Sequence, residues 1–182
     1  MGKGFQKLIQ QEKATIIHKW FDMAIQAYDP ETAKFLKNQK DQFANPVGSN
    51  TLKGLQGLFD QLLENLEPKA VISYLDPIIR IRAAQAFTPS QATAFVLSLK
   101  TVLQQTLGTK LRDERMMADY LEFETKIDRL SLMAFDIYME CKEKIYQISA
   151  NETRNRMFSA FERAGLISEV TPDRPKKKKT VG

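Results

Sequence analysis

Apolar positions recur every three or four residues along most of this chain, the interval at which an α-helix returns to one face. Ile9, Ile16, Trp20, Ala24 and Ala27 keep that spacing, Ile17 and Phe21 widen the stripe, and together they predict a first helix from about Gln6 to Tyr28. Asp29-Pro30 then opens a second, because Asp caps free backbone amides and Pro at the first helical position gives up a hydrogen bond that was unavailable anyway. That helix runs through Phe35 and Leu36 to about Phe43, and the turn formers Asn45-Pro46-Val47-Gly48-Ser49-Asn50 end it. A third helix is expected from about Thr51 to Asn65, with Leu52, Leu55, Phe59, Leu62, Leu63 and Leu66 facing inward. Glu67-Pro68 restarts the chain into a fourth, carrying Val71, Ile72, Leu75, Ile78, Ile79 and Ile81. Pro77 lies within it, so it should kink or begin its ordered part there.

Thr88-Pro89-Ser90-Gln91 repeats the start signal and adds a capping box, since Gln91 stands where it can reach back to the cap amide. The fifth helix holds Phe95, Val96, Leu99, Val102, Leu103 and Leu107 and stops at Gly108. Residues 109–164 then contain neither Gly nor Pro. An unbroken helix of that length would reach roughly 80 Å at about 1.5 Å per residue, whereas a compact chain of this size has a radius of gyration of about 16 Å. Tyr120, Phe123, Ile127, Leu130, Ala134, Ile137, Cys141, Ile145 and Ile148 alternate steps of three and four, like a coiled-coil seam. Two readings stand: a core-facing helix broken near Ser149-Ala150-Asn151, or a projecting helix whose seam of Tyr120, Phe123, Ile127, Leu130 and Ile137 pairs with a second copy. Either way the class is all-α: a single-domain bundle of about six helices over residues 1–165, with a long C-terminal helix and a disordered basic tail over 166–182.

Composition changes this picture little. The 43% hydrophobic and 27% charged residues are ordinary for a globular chain, so disorder is expected only at the ends. The net charge of +5 would suggest an anionic partner, but Arg174, Lys176, Lys177, Lys178 and Lys179 against Asp173 supply +4 of it. The body is balanced, unlike a fold that grips phosphates across one face. The tail itself could meet nucleic acid or anionic membrane through Lys176, Lys177, Lys178 and Lys179, or act only as a solubilising end. No apolar run approaches the roughly 20 residues that span a bilayer, and the opening residues lack an apolar signal core. The cytoplasm is the expected location.

Candidate chemistry is sparse. His18 is the only histidine and Cys141 the only cysteine, so two-histidine metal motifs, multi-cysteine zinc sites and intrachain disulfides are ruled out. Cys141 has no second histidine to activate it and lies between Ile137 and Ile145, as a small buried hydrophobe would. There is no glycine-rich phosphate loop. The carboxylates of the last helix alternate with Lys and Arg, as on a solvated face. One cluster stands apart. Asp76 and Arg80 are four residues apart and can pair, while Arg82 falls on the stripe of Leu75, Ile79 and Ala86, its charge aimed at an apolar surface. Either it snorkels or pairs, or Asp76, Arg80, Arg82 and Gln85 form an anchoring site for a ligand anion or a partner's carboxylate.

Four stretches carry a family resemblance: Trp20-Phe21; Phe35-Leu36-Lys37-Asn38-Gln39-Lys40-Asp41-Gln42-Phe43-Ala44-Asn45-Pro46-Val47-Gly48; Asp76 through Arg82-Ala83-Ala84-Gln85-Ala86-Phe87-Thr88-Pro89-Ser90-Gln91-Ala92; and Asp136-Ile137-Tyr138-Met139-Glu140-Cys141-Lys142-Glu143-Lys144-Ile145-Tyr146. The turn with Asn45, Pro46 and Gly48 is the most specific of them. In order and spacing they resemble the N-terminal domain of RsbT co-antagonist proteins, the sensory halves of stressosome-type RsbR and RsbRD proteins. The resemblance implies a cofactor-free, non-enzymatic all-α module, globin-like in role and shape, that dimerises and passes a signal to protein partners. No phosphorylatable sulfate-transporter and anti-sigma-antagonist domain follows, which implies action in trans as a regulatory or scaffold module in bacterial signalling. The alternative is an accessory protein of an anaerobic redox or energy-metabolism complex.

Overall fold

The computed structural model describes residues 2–85, 87–111 and 114–166, and every regular element among them is helical, as the periodicity requires. In order these are α1 (Lys3–Ile25), α2 (Pro30–Asn38), α3 (Pro46–Leu63), α4 (Pro68–Ala84), α5 (Pro89–Leu107), a 3-10 turn (Gly108–Lys110) and the long α6 (Glu114–Arg163). The chain divides into two compact units, residues 1–144 and 145–182. The basic run of Arg174 and Lys176 to Lys179, and Ala86 on the Arg82 stripe, lie outside the described residues.

In the first unit one device starts four helices. Asp29, Asn45, Glu67 and Thr88 each accept a hydrogen bond from the amide three residues on, and each is followed by proline at the first helical position. The cap fills an amide that would otherwise lack a partner, and the proline removes another. Thr88 and Gln91 complete the expected capping box. The same device corrects one boundary. Asn45-Pro46 begins α3 five residues before the expected Thr51, because a pair that can end one helix is also an ordinary start for the next. Consequently α2 stops at Asn38, short of Phe43, and Gln39 is extended. Through Pro77 the helix assignment of α4 is continuous.

The core forms where α1 packs on α5 and α3, and α3 on α4. Phe5, Ile9, Trp20, Leu55, Phe59 and Leu75 are fully buried there, each such side chain contributing about 1.5–3 kcal/mol. The Trp20 indole N–H donates to the Phe95 carbonyl at 2.6 Å, so its one polar atom is satisfied. Residues 114–144 of α6 close the core with Tyr120, Phe123, Ile127, Leu130, Ala134, Ile137, Tyr138 and Cys141. Phe123 meets Phe5 and Phe59 at centroid separations of 6.0 and 6.1 Å, and the Lys126 ammonium reaches the Glu64 carbonyl beyond the end of α3 at 2.7 Å.

Described residues of the second unit, 145–166, are helical as far as Arg163, and the expected break at Ser149-Ala150-Asn151 does not occur. Asn151 can break a helix by bonding to its own backbone, but here its side chain is engaged by Arg154 one turn on. The helix ends instead at Gly165, whose φ of 66° lets the Leu166 amide bond to the Phe161 carbonyl and the Gly165 amide to that of Glu162. This is a Schellman ending, which favours glycine at that position.

Candidate functional site

Of the anchoring cluster anticipated on α4, the structure separates one surface pair from one buried cation. Asp76 and Arg80 pair through two hydrogen bonds of 2.6 and 3.0 Å at the protein surface. That pairing raises the Arg80 pKa, so its charge is secure. Gln85 is exposed at the end of α4, where its amide bonds to the Ile81 carbonyl.

Arg82 is 1% exposed, too buried to reach water, and pairs with no carboxylate among the described residues. Its guanidinium donates to the Ala24 carbonyl at 2.8 Å and the Ala92 carbonyl at 3.2 Å, while Nε has no partner. Three rings surround the group: Phe95 at 4.7 Å from the guanidinium carbon, Tyr28 at 5.7 Å and Phe87 at 5.8 Å. Burial lowers its pKa, and the neighbouring Tyr28 side chain partly offsets that. Two features replace the missing counter-ion. Ala24 lies in the last turn of α1, where the helix dipole favours a cation, and the ring faces attract one too. Arg82 therefore joins α1, α4 and α5, and its head is closed off from any ligand that stays at the surface.

The turn of Asn45, Pro46 and Gly48 is also a clamp between helices. Asn45 is 2% exposed; its Nδ2 donates to the carbonyls of Leu36 and Gln39 at 2.9 and 3.0 Å, and its Oδ1 accepts from the Gly48 amide at 2.8 Å. A Cβ on Gly48 would meet Asn45 and come within 2.8 Å of the Leu36 carbonyl, so no larger residue fits without displacing the clamp. One buried amide thus satisfies the end of α2 and the start of α3 together. Its importance was visible in the sequence as a turn, but not its action across two helices, which needs the carbonyls of Leu36 and Gln39 in place.

The candidate dimer seam of Tyr120, Phe123, Ile127, Leu130 and Ile137 faces the core of the first unit, none of the five more than 8% exposed. A seam built from them is already covered by this chain's own helices. A different stripe of α6 is open: Met117, Leu121, Leu132, Phe135 and Met139, each between 41 and 66% exposed. At about 100° per residue these five fall within about 60° of one another around the helix. The spacing from Leu132 to Phe135 to Met139 was readable, but the stronger rhythm of the buried stripe masked it.

His18 is largely exposed and lies 3.8 Å from Asp22, as a boundary histidine would. Cys141 is buried, and that burial raises its pKa, with Arg80 opposing and Asp76 adding. Among the described residues no group of three His, Cys, Asp or Glu side chains could hold a metal ion, and no helix is long and apolar enough to cross a membrane.

No curated protein and no solved structure matches this chain. The family model of the RsbT co-antagonist protein rsbRD N-terminal domain matches residues 14–153, a span that takes in the Asn45 clamp, the Arg82 cage and most of α6. Covering well over half of the sequence, that match means the chain belongs to the rsbRD N-terminal domain family.

Proposed function

We propose that this protein is a non-enzymatic regulatory or scaffold module of stressosome-type signalling that works by binding proteins, a second copy of itself among them. The family match over residues 14–153 carries the reading. The structure supplies a surface suited to it: the open stripe of α6, where Leu132, Phe135 and Met139 present apolar side chains on a rigid element. Exposed apolar side chains grouped on one face mark association sites more often than they decorate a monomer. The Asp76 and Arg80 pair supplies a polar site on the same unit for a partner's side chains.

Size-exclusion chromatography with light scattering tests the self-association. A dimer at tens of micromolar that Phe135→Glu with Met139→Glu converts to a folded monomer supports the reading. A wild-type chain that stays strictly monomeric there refutes it. Affinity capture from native cells tests the signalling role: recovery of kinase or sigma-factor regulators supports it, and recovery of redox enzymes alone transfers the protein to the accessory role.

A further inference from the structure

A cleft of about 360 Å³ opens between α1, α2 and α3. Its volume lies at the lower end of the range for small-molecule sites. It has room for a small organic fragment. The floor is apolar: Ile17 and Phe21 from α1, Leu36 from α2 and Leu52 from α3. The rim is polar, and its charged lining residues are of one sign, Lys37 and Lys40, with no Asp or Glu among them.

Within a body whose charges nearly cancel, that asymmetry is local. Lys37 is held in place by Asp22 at 2.8 Å, just behind the rim. Lys40 makes no ion pair among the described residues, so its ammonium is available to an incoming anion. The wall that carries both lysines is the one the Asn45 clamp fixes, through the Leu36 and Gln39 carbonyls on either side of Lys37. Gly48 of α3 lines the cleft beside that wall, where a larger residue would meet the Leu36 carbonyl. The most specific stretch of the sequence thus builds a preformed recess with a greasy floor and a cationic lip.

We propose that this cleft binds a small organic carboxylate with an aliphatic or aromatic body, its body on Ile17, Phe21, Leu36 and Leu52 and its carboxylate toward Lys40 and Lys37. The inference rests on the regulatory reading for its purpose, as the input of a sensing module, but not for its chemistry. An apolar body of this size with one charged end explains both halves of the lining. A phosphate alone would leave the floor uncovered, and a cation would meet the lysines.

4-Phenylbutyrate is a suitable probe, with its primary amide and the corresponding amine as comparators. Calorimetry and amide-resolved NMR on the full chain should show the acid binding with a Kd on the order of 1 mM, as expected for a fragment of this size. Shifts should cluster at Ala14, His18, Leu36, Gly48 and Leu52, and the affinity order should be acid, amide, amine. Lys37→Met with Lys40→Met should weaken the acid about fivefold, the scale of exposed charge pairs, and leave the amide unchanged. Ala14→Trp, at an exposed rim position, should block both. Equal affinity for acid and amine, shifts away from the cleft, or no binding at about ten times the expected Kd would overturn the proposal. Light scattering on the same samples separates the two readings: an intact dimer that binds no probe overturns the cleft alone, and a monomer that binds it overturns the dimer alone.

Discussion

Arg82 offers the sharpest energetic test, because the sign of the effect is not obvious in advance. Methionine in its place keeps most of the length and removes the charge. Two hydrogen bonds from a charged donor, to the carbonyls of Ala24 and Ala92, are lost. Bonds of that kind contribute about 1.5–3 kcal/mol each net of their exchange with water, so their loss costs about 3–6 kcal/mol. Against it stands the desolvation of a guanidinium, several kcal/mol, which methionine gives back. What decides the balance is Ala24. The amide that would satisfy its carbonyl in a continuing helix, that of Tyr28, turns instead to Ile25. Removing the guanidinium leaves a buried acceptor without a partner, which costs about 1–3 kcal/mol. The attraction of three ring faces for the cation is lost as well. Arg82→Met should therefore destabilise the protein by about 1–3 kcal/mol, and Arg82→Ala by more because it also opens a cavity. Urea unfolding followed by the fluorescence of Trp20, the single tryptophan and itself bonded to Phe95, measures both. An Arg82→Met midpoint equal to or above wild type, with unchanged slope, would show that burying the charge costs more than its bonds return and that the reasoning is wrong.

Four further outcomes follow from particular contacts. A Cβ at Gly54 would come within 2.9 Å of the Tyr74 carbonyl and 2.7 Å of Ile78; Gly54→Ala should cost about 1–3 kcal/mol by forcing α3 from α4, and a neutral result in thermal unfolding would mean the two helices have slack. Thr88→Ala removes the cap of α5 and should cost about 1 kcal/mol by urea midpoint, while Thr88→Ser should stay near wild type; equal losses would exclude the cap as the cause. The Tyr120 hydroxyl is pushed up to about 12 by burial, with the Glu124 hydrogen bond and charge adding. The folded state then holds its proton more tightly than the unfolded chain, so this contribution to stability is complete below about pH 10 and fades as pH rises through about 12. A tyrosinate absorbance titration in which Tyr120→Phe removes no late-titrating group would contradict it. Cys141 is buried with a raised pKa, so its alkylation at pH 8 should be at least about tenfold slower in the native protein than in urea; equal rates would place the thiol at the surface.

The helices were legible because their signals are local and reinforce one another. A capping residue before a proline, then apolar residues at three and four, leaves few alternatives over a dozen positions, and α5 runs from the expected start to the expected stop. Where one local signal had two meanings, the reading went astray. Asn45-Pro46 both closes and opens helices, and only the Asn45 side chain, spanning the gap to Leu36 and Gln39, decides in favour of opening. The tail of α6 is the opposite case: its length seemed to demand a break, yet Asn151, the residue able to make one, is engaged by Arg154, and the helix runs on to its ending at Gly165.

Sites were harder to read than helices for a reason that lies in the physics of a helical surface. Every helix shows the same amphipathic rhythm whether its apolar face meets its own core or another chain, so periodicity alone cannot say which stripe of α6 is free. Tyr120 to Ile137 has the stronger rhythm because it must satisfy a close-packed interior, and it is therefore the stripe already used. Leu132, Phe135 and Met139 are tolerated in water, a weaker constraint that leaves a fainter pattern. Arg82 left two readings open by the same logic in reverse. A charge on an apolar stripe looks like an invitation to an external anion, until the end of α1 and three aromatic rings are found gathered around it. Those groups are 58 residues away in the case of Ala24, beyond any local spacing rule. What the molecule offers outward is consequently carried by its less conspicuous residues: an α6 stripe of few apolar positions beside a fuller buried one, and a cleft whose walls belong to three helices and whose lysines look, in sequence, like any others.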